Sequence, residues 1–207
     1  MNELKVLSYD LRKHVVDMII AGKGGHIGGD MSVMEILVEL YMKQMNISPE
    51  NKDLDNRDRF VLSKGHSVES YYAVLAKKGF FPMEEVISTF SQFGSKFIGH
   101  PNNKLPGIEM NSGSLGHGLP VCVGMAMAGK MDRKDYRVYV VMGDGELAEG
   151  SVWEGAMAAS HYCLDNLCAV VDRNRLQISG CTEDVMGHDD LHERFRSFGW
   201  HVIDVAD

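Results

Sequence analysis

Apolar residues recur at helical spacing from the start of the chain. Leu4, Leu7, Leu11, Val15, Met18 and Ile19 predict an amphipathic helix over 3–21. The run Gly22-Lys23-Gly24-Gly25-His26-Ile27-Gly28-Gly29 breaks that period and is too glycine-rich for the interior of a helix or strand. Met34, Leu37, Val38, Tyr41 and Met42 restore it, predicting a second helix over about 31–45. Asp30 or Ser32 can cap this helix, and Glu35, three residues after Ser32, fits a capping box. The polar stretch 46–58, with Pro49, is expected to be a surface connection.

The pattern then changes to short apolar runs. Arg59-Phe60-Val61-Leu62-Ser63 reads as a first core strand, followed by helical pattern over 70–78 and a helix start at Pro82-Met83-Glu84-Glu85. Residues 93–113, with Gly94, Gly99, Pro101, Pro106 and Gly107, predict a long loop, and 116–131 a helix of small residues and methionines. Next come a strand (138–142), a helix (150–163), a strand (167–172), a helix (189–198) and an apolar strand over 200–205. Strands alternating with helices imply an α/β fold, a parallel sheet with helices on both faces. Right-handed crossovers put the carboxyl ends of the strands on one side, where such sheets bind ligands. We expect a single domain over 1–207, with 1–57 a helical N-terminal extension packed on it. The end at Val205-Ala206-Asp207, directly after an apolar strand, reads as a chain cut short.

Composition narrows the partners. The formal net charge of −8, with scattered Lys and Arg, argues against a nucleic-acid binder. No apolar run approaches the roughly 20 residues of a membrane span, and the N-terminus lacks a signal-peptide layout. A cytoplasmic protein is expected. Of the four cysteines, Cys122, Cys163 and Cys168 lie among apolar residues and read as buried thiols. The fourteen methionines read as core filling.

Two strand ends carry the clearest chemistry. Val138 to Met142 ends in Gly143-Asp144-Gly145-Glu146, and the next strand ends in Asp172-Arg173-Asn174. An Asp carboxylate, an Asn amide oxygen and a nearby main-chain carbonyl, that of Leu176, form a set of hard oxygen ligands. Such a set suits magnesium that also binds two diphosphate oxygens. Gly143 and Gly145 would let phosphates approach the backbone; a plain strand-to-helix turn is the alternative. His26, His66 and His100 each sit in a glycine-bearing loop, where imidazole can donate to phosphate or carry protons. Asn111 to Gly118 is a glycine-rich loop that opens a helix and could hold a phosphate or lie against a flat ring. Glu149 and Glu154 are favourable near a helix start through the helix dipole alone.

Together these motifs resemble the diphosphate-binding domain of the transketolase family, in the form of the N-terminal subunit of a two-chain transketolase. The resemblance runs along nearly the whole chain. Its most specific parts are Gly24-Gly25-His26, the run from Arg59 to His66, Gly99-His100-Pro101, Gly113 to Gly116, and Gly143 to Glu146 with Glu149-Gly150 and Asn174. It implies the thiamine-diphosphate-binding fold with Mg2+ held by Asp144, Asn174 and the Leu176 carbonyl. Gly145 and His66 would contact the diphosphate, and Gly113 and Leu115 would line the thiamine rings. His26 and His100 would face a ketose, and Glu149 would join an acidic network between paired sites.

The family usually carries Gln where His117 stands. The implied reaction is transfer of a two-carbon ketol unit between sugar phosphates. It would need a C-terminal transketolase subunit carrying the pyrimidine-binding domain, in a homo- or hetero-oligomer. A catalytically inactive truncated or regulatory subunit, or a component of another thiamine-diphosphate enzyme, is the alternative.

Overall fold

Three short strands fix the frame. In the computed structural model, which describes residues 3–188 and 190–205, β1 (Arg59–Leu62), β2 (Val138–Gly143) and β3 (Leu167–Asp172) form a parallel sheet in that spatial order. Arg59 lies opposite Val138, and Val138 opposite Leu167. Successive side chains of a strand point to opposite faces, and both faces are covered. Phe60, Leu62, Tyr139 and Val141 enter one core, whereas Val61, Val138, Val140 and Met142 enter the other.

The first core is built against helices from the N-terminal half. These are α1 (Glu3–Gly22), α2 (Ile27–Glu39), α3 (Val68–Lys78) and α4 (Met83–Thr89). Leu11, Val15 and Met18 of α1 meet Val33, Met34, Leu37 and Val38 of α2, at the spacing the sequence displays. Tyr41, Phe60 and Tyr71 pack edge-on at the centre, and the two tyrosine hydroxyls bond to each other. The second core is built against α5 (Gly118–Met131) and α6 (Gly150–His161), with Leu191 and Phe195 of α8 (Leu191–Ser197) closing it. Small residues bring α5 and α6 together: a Cβ on Gly155 would stand 3.2 Å from the Pro120 nitrogen.

Several expectations need correction. The second helix begins at Ile27, four residues early, and takes Gly28 and Gly29 into its first turn. Packing overrides propensity there, because a Cβ on Gly29 would stand 2.6 Å from Ser67 Oγ. The capping box does not form. Glu35 pairs with Arg12 of α1, and Ser32 Oγ donates 2.6 Å to Asp172. The helix also ends early, in a π turn over Leu40–Gln44.

The apolar stretch 200–205 forms no strand among the described residues. Trp200 and Val202 instead pack on the second core, Trp200 Nε1 donates to Ala156 O, and Ile203 and Val205 stay exposed. Cys122 is buried, but Cys163 and Cys168 are exposed. Cys163 stands in the turn after α6, and Cys168 lies on β3, which pairs on one side alone among the described residues. A small antiparallel pair, β4 (Leu176–Gln177) with β5 (Gly180–Cys181), and a short α7 (Thr182–Met186) follow β3 without a clear sequence signal. The helix expected at 189–198 occupies Leu191–Ser197, and Asp189 lies outside the described residues.

Candidate functional site

Parallel pairing carries β2 and β3 to the same edge, and the chain turns there around Asp144. Its main-chain N–H donates to Asp172 O at 3.2 Å, continuing the ladder by one residue. The carboxylate, 2% exposed, accepts from Gly145 N at 2.9 Å on one oxygen. The other oxygen accepts from Arg175 N at 2.8 Å and Thr182 Oγ1 at 3.1 Å. Arg175 has φ 62°, which turns the chain after β3 back toward Asp144. Asn174, just before it, accepts from Leu176 N at 2.9 Å. Asp144, Asn174 and Leu176 therefore occupy one corner.

The residues of this corner fit a hydrated divalent cation carrying a diphosphate. The donors are a carboxylate, an amide oxygen and a main-chain carbonyl, all hard oxygen ligands. Among the described residues no group of three or more His, Cys, Asp or Glu could hold a metal ion, so a cation here would rest on one carboxylate and neutral oxygens. A Cβ placed on Gly143 would meet nothing nearer than Lys64 Cβ at 3.9 Å, leaving room at the strand end. Gln177 Oε1, buried and without a hydrogen-bond partner among the described residues, lies against Gly145 and offers a further oxygen.

A buried ion pair joins this corner to the helices. Lys64, the second residue after β1, donates to Asp172 at 2.5 Å, to Gly29 O at 3.1 Å and to Ser32 Oγ at 3.4 Å. Ser32 Oγ also receives a 3.4 Å bond from Asn174 Nδ2. Sequence motifs gave neither Lys64 nor Asp172 a role. The usable signal was a lysine placed directly after an apolar strand.

The three expected histidines meet on the other side of Lys64. The His26 ring lies 5.4 Å from His66 and 6.2 Å from His100, edge-on in both cases. His26 is the residue before α2, and His66 precedes Ser67 at the start of α3, so two helix starts present them. Burial lowers His66 to about 4, helped by the charge of Lys64 and then by the other two rings. Burial and then His26 also lower His100. His66 is therefore a neutral ring near pH 7, able to donate at one nitrogen and accept at the other.

The glycine loop closes the arrangement. Gly113, at φ 141°, faces His100 so closely that a Cβ would stand 2.6 Å from the ring. Leu115 is partly exposed beside it. Glu146, missed as a site residue, ties the pieces together: its carboxylate accepts from Ser63 Oγ, from Gly116 N at 2.8 Å and from Gly143 N at 3.2 Å. Burial raises Glu146 and these bonds oppose the rise. Glu149 is exposed and packs its Cβ against Gly116, while the expected helix at 116 begins at Gly118.

Known proteins are similar to this chain over most of its length. Residues 5–207 match the family described as "Transketolase, thiamine diphosphate binding domain". An apulose-4-phosphate transketolase subunit of Phocaeicola vulgatus is 52% identical over 202 residues, covering 98% of this chain and 72% of that one. The 6-deoxy-6-sulfo-D-fructose transketolase subunit SqwG of a Clostridium species is 44% identical over 182 residues, covering 87% and 66%. The solved transketolase of Leishmania mexicana superposes with a TM-score of 0.90 at 31% identity, over 99% of this chain and 32% of that one. The chain thus spans about a third of that longer transketolase.

Proposed function

The chain belongs to the transketolase family, and we propose that it is the diphosphate-binding half of a two-chain enzyme moving a two-carbon ketol unit between sugar phosphates. One observation carries this reading: the oxygen corner at Asp144 and Asn174 stands across Lys64 and Ser32 from three converging histidines. Asp144, Asn174 and the Leu176 carbonyl would hold Mg2+, and Gly145 with His66 would meet the diphosphate. Gly113 and Leu115 would line the thiamine rings. Thiamine diphosphate, when bound, supplies the carbanion-stabilising chemistry.

The residues of this chain then orient and manage protons. His66, neutral near pH 7, can donate or accept a hydrogen bond without adding charge beside Lys64. His26 and His100 would face a ketose phosphate and hold or pass protons at its hydroxyls. Glu149, exposed beside the glycine loop, would reach the acidic network of a neighbouring site. The relatives are themselves named as subunits, which supports a partner; we take it to be a C-terminal subunit with the pyrimidine-binding domain. Four unpaired cysteines support a cytoplasmic setting, and among the described residues no helix is long and apolar enough to cross a membrane.

Titration calorimetry tests the corner. Thiamine diphosphate should bind only with Mg2+ present, and Asp144→Ala should abolish that binding while circular dichroism stays native. Equal affinity in the variant would remove the metal assignment. Ketol transfer should appear only when a pyrimidine-domain partner is supplied, and turnover by the chain alone would overturn the two-chain reading.

A further inference from the structure

Beneath the histidines lie two carboxyl groups that the proposed reaction does not use. Asp30 sits in the first turn of α2 and Glu69 in the first turn of α3, and each is 0% exposed. Each follows one of the histidines, Asp30 after His26 and Glu69 after His66. Asp30 Oδ1 accepts from Ser70 N at 2.8 Å, and Ser70 Oγ donates back to Asp30 O. The remaining oxygen of Asp30 and both oxygens of Glu69 meet no donor among the described residues. Ser70 N belongs to the peptide bond after Glu69, so Asp30 and Glu69 lie side by side, close enough for each carboxyl to act on the other.

Two ionised carboxylates in that position would be acceptors facing acceptors, buried and of like charge. Such a pair keeps a proton, because burial and mutual repulsion both disfavour the second charge. Burial raises Asp30 to about 8, with the charge of Glu69 the next cause, and burial raises Glu69 as well. A proton between them turns two unmatched acceptors into one hydrogen bond. The titratable groups facing the pair are His26, which acts on Glu69, and Tyr72, one turn along α3, which feels Glu69.

The pair also touches the loop that presents His26. A Cβ on Gly25 would collide with Glu69 Oε1, so the Glu69 carboxyl is the floor on which Gly25 and His26 rest. The charge of His26 favours the charged form of Glu69, against the burial that opposes it.

We propose that Asp30 and Glu69 are positioning residues that share a single proton, and that this shared bond holds the His26 loop against His66 and His100. Loss of the proton leaves two repelling charges under Gly25 and loosens the loop. The idea rests on the substrate-facing role of His26, but its test does not need turnover.

Carbon-13 NMR of the carboxyl groups in the full chain should show two separated steps, one below neutrality and one near neutral to mildly alkaline pH. The His26 amide cross-peak should move with the upper step. In Glu69→Gln the amide side chain supplies a permanent hydrogen to Asp30, so the upper step disappears and the His26 cross-peak stays in its low-pH position. Glu69→Leu, which fills the space without a hydrogen bond, should displace that cross-peak at every pH. Two carboxyls titrating together below pH 5, or a His26 amide indifferent to all variants, would overturn the proposal. In the presence of a pyrimidine-domain partner, Glu69→Gln should extend kcat/KM to higher pH, whereas an alkaline limb identical to wild type would also overturn it. A two-step titration in a chain that transfers no ketol unit would sustain the pair and count against the proposed reaction.

Discussion

Two buried ionisable pairs lie close to the histidines, Lys64 with Asp172 beside His66 and Asp30 with Glu69 beside His26, and they solve burial in opposite ways. Lys64 and Asp172 have opposite charges, and Gly29 O and Ser32 Oγ complete their hydrogen bonds. Asp30 and Glu69 are both acids and leave three oxygens without donors among the described residues. Both pairs join α2 to another element. The first is held by attraction between opposite charges, while the second holds only as long as it keeps a proton. Depth alone therefore says little about a charged residue; its partner decides whether it is a fixed brace or a titrating one.

The largest effect should come from breaking the first pair. Lys64→Met would leave Asp172 charged, buried and unpaired, and should cost about 3–5 kcal/mol in urea unfolding. Adding Asp172→Leu should recover much of that loss, since apolar replacement of a whole buried pair is often neutral. A Lys64→Met chain as stable as wild type would erase the contrast.

The second pair predicts a pH dependence. Raised folded-state pKa values mean that the native chain binds more protons than the unfolded one, so stability is full below about pH 4 and falls as pH rises toward 8. His66 works the other way: its pKa is lowered to about 4, so its contribution is full above about 6.5 and is lost on acidification. The two slopes oppose each other below pH 6.5, and above it the carboxyl pair acts without that opposition. Between pH 6.5 and 8 the wild type should lose about 1–2 kcal/mol, measured by urea unfolding, and Asp30→Asn should flatten that slope. A slope unchanged in the variant would assign it elsewhere.

The smallest effect sharpens the boundary between the pairs. Ser32 Oγ donates to Asp172 and receives from Asn174, so Ser32→Ala should cost about 1 kcal/mol. Because Asn174 loses a contact, cofactor affinity should fall more than stability does, as calorimetry against unfolding would reveal.

The sheet, its alternation between two cores and the corner at Asp144 and Asn174 were legible because each rests on local pattern. Phe60 and Val61 point to opposite faces whatever surrounds them, and Gly143-Asp144-Gly145 ends an apolar run. Asp30 was not legible in its actual role. A carboxylate at a helix start looks the same as a sequence whether it caps in solvent or lies buried against Glu69, about forty residues away. Lys64 with Asp172, and Glu146 with Ser63 and Gly116, are likewise long-range pairs brought together by packing. The false strand at 200–205 has a similar cause. Its alternation is real, yet it packs Trp200 and Val202 on α6 and α8 without forming a ladder.

The sheet's connectivity bears on how the chain acquires its shape. β2 and β3 are joined through a short 3-10 turn (Gly145–Ala148) and α6, whereas residues 63–137 intervene between β1 and β2. Contacts close in sequence form faster than distant ones, so β2, α6 and β3 should be the early folding unit and β1 should dock late. Protection of the Val140 and Val170 amides before that of Val61 in pulsed hydrogen exchange would show this order. The oxygen corner would then exist before the histidines arrive, and an ion resting on Asp144 could speed the final docking by stabilising what is already built.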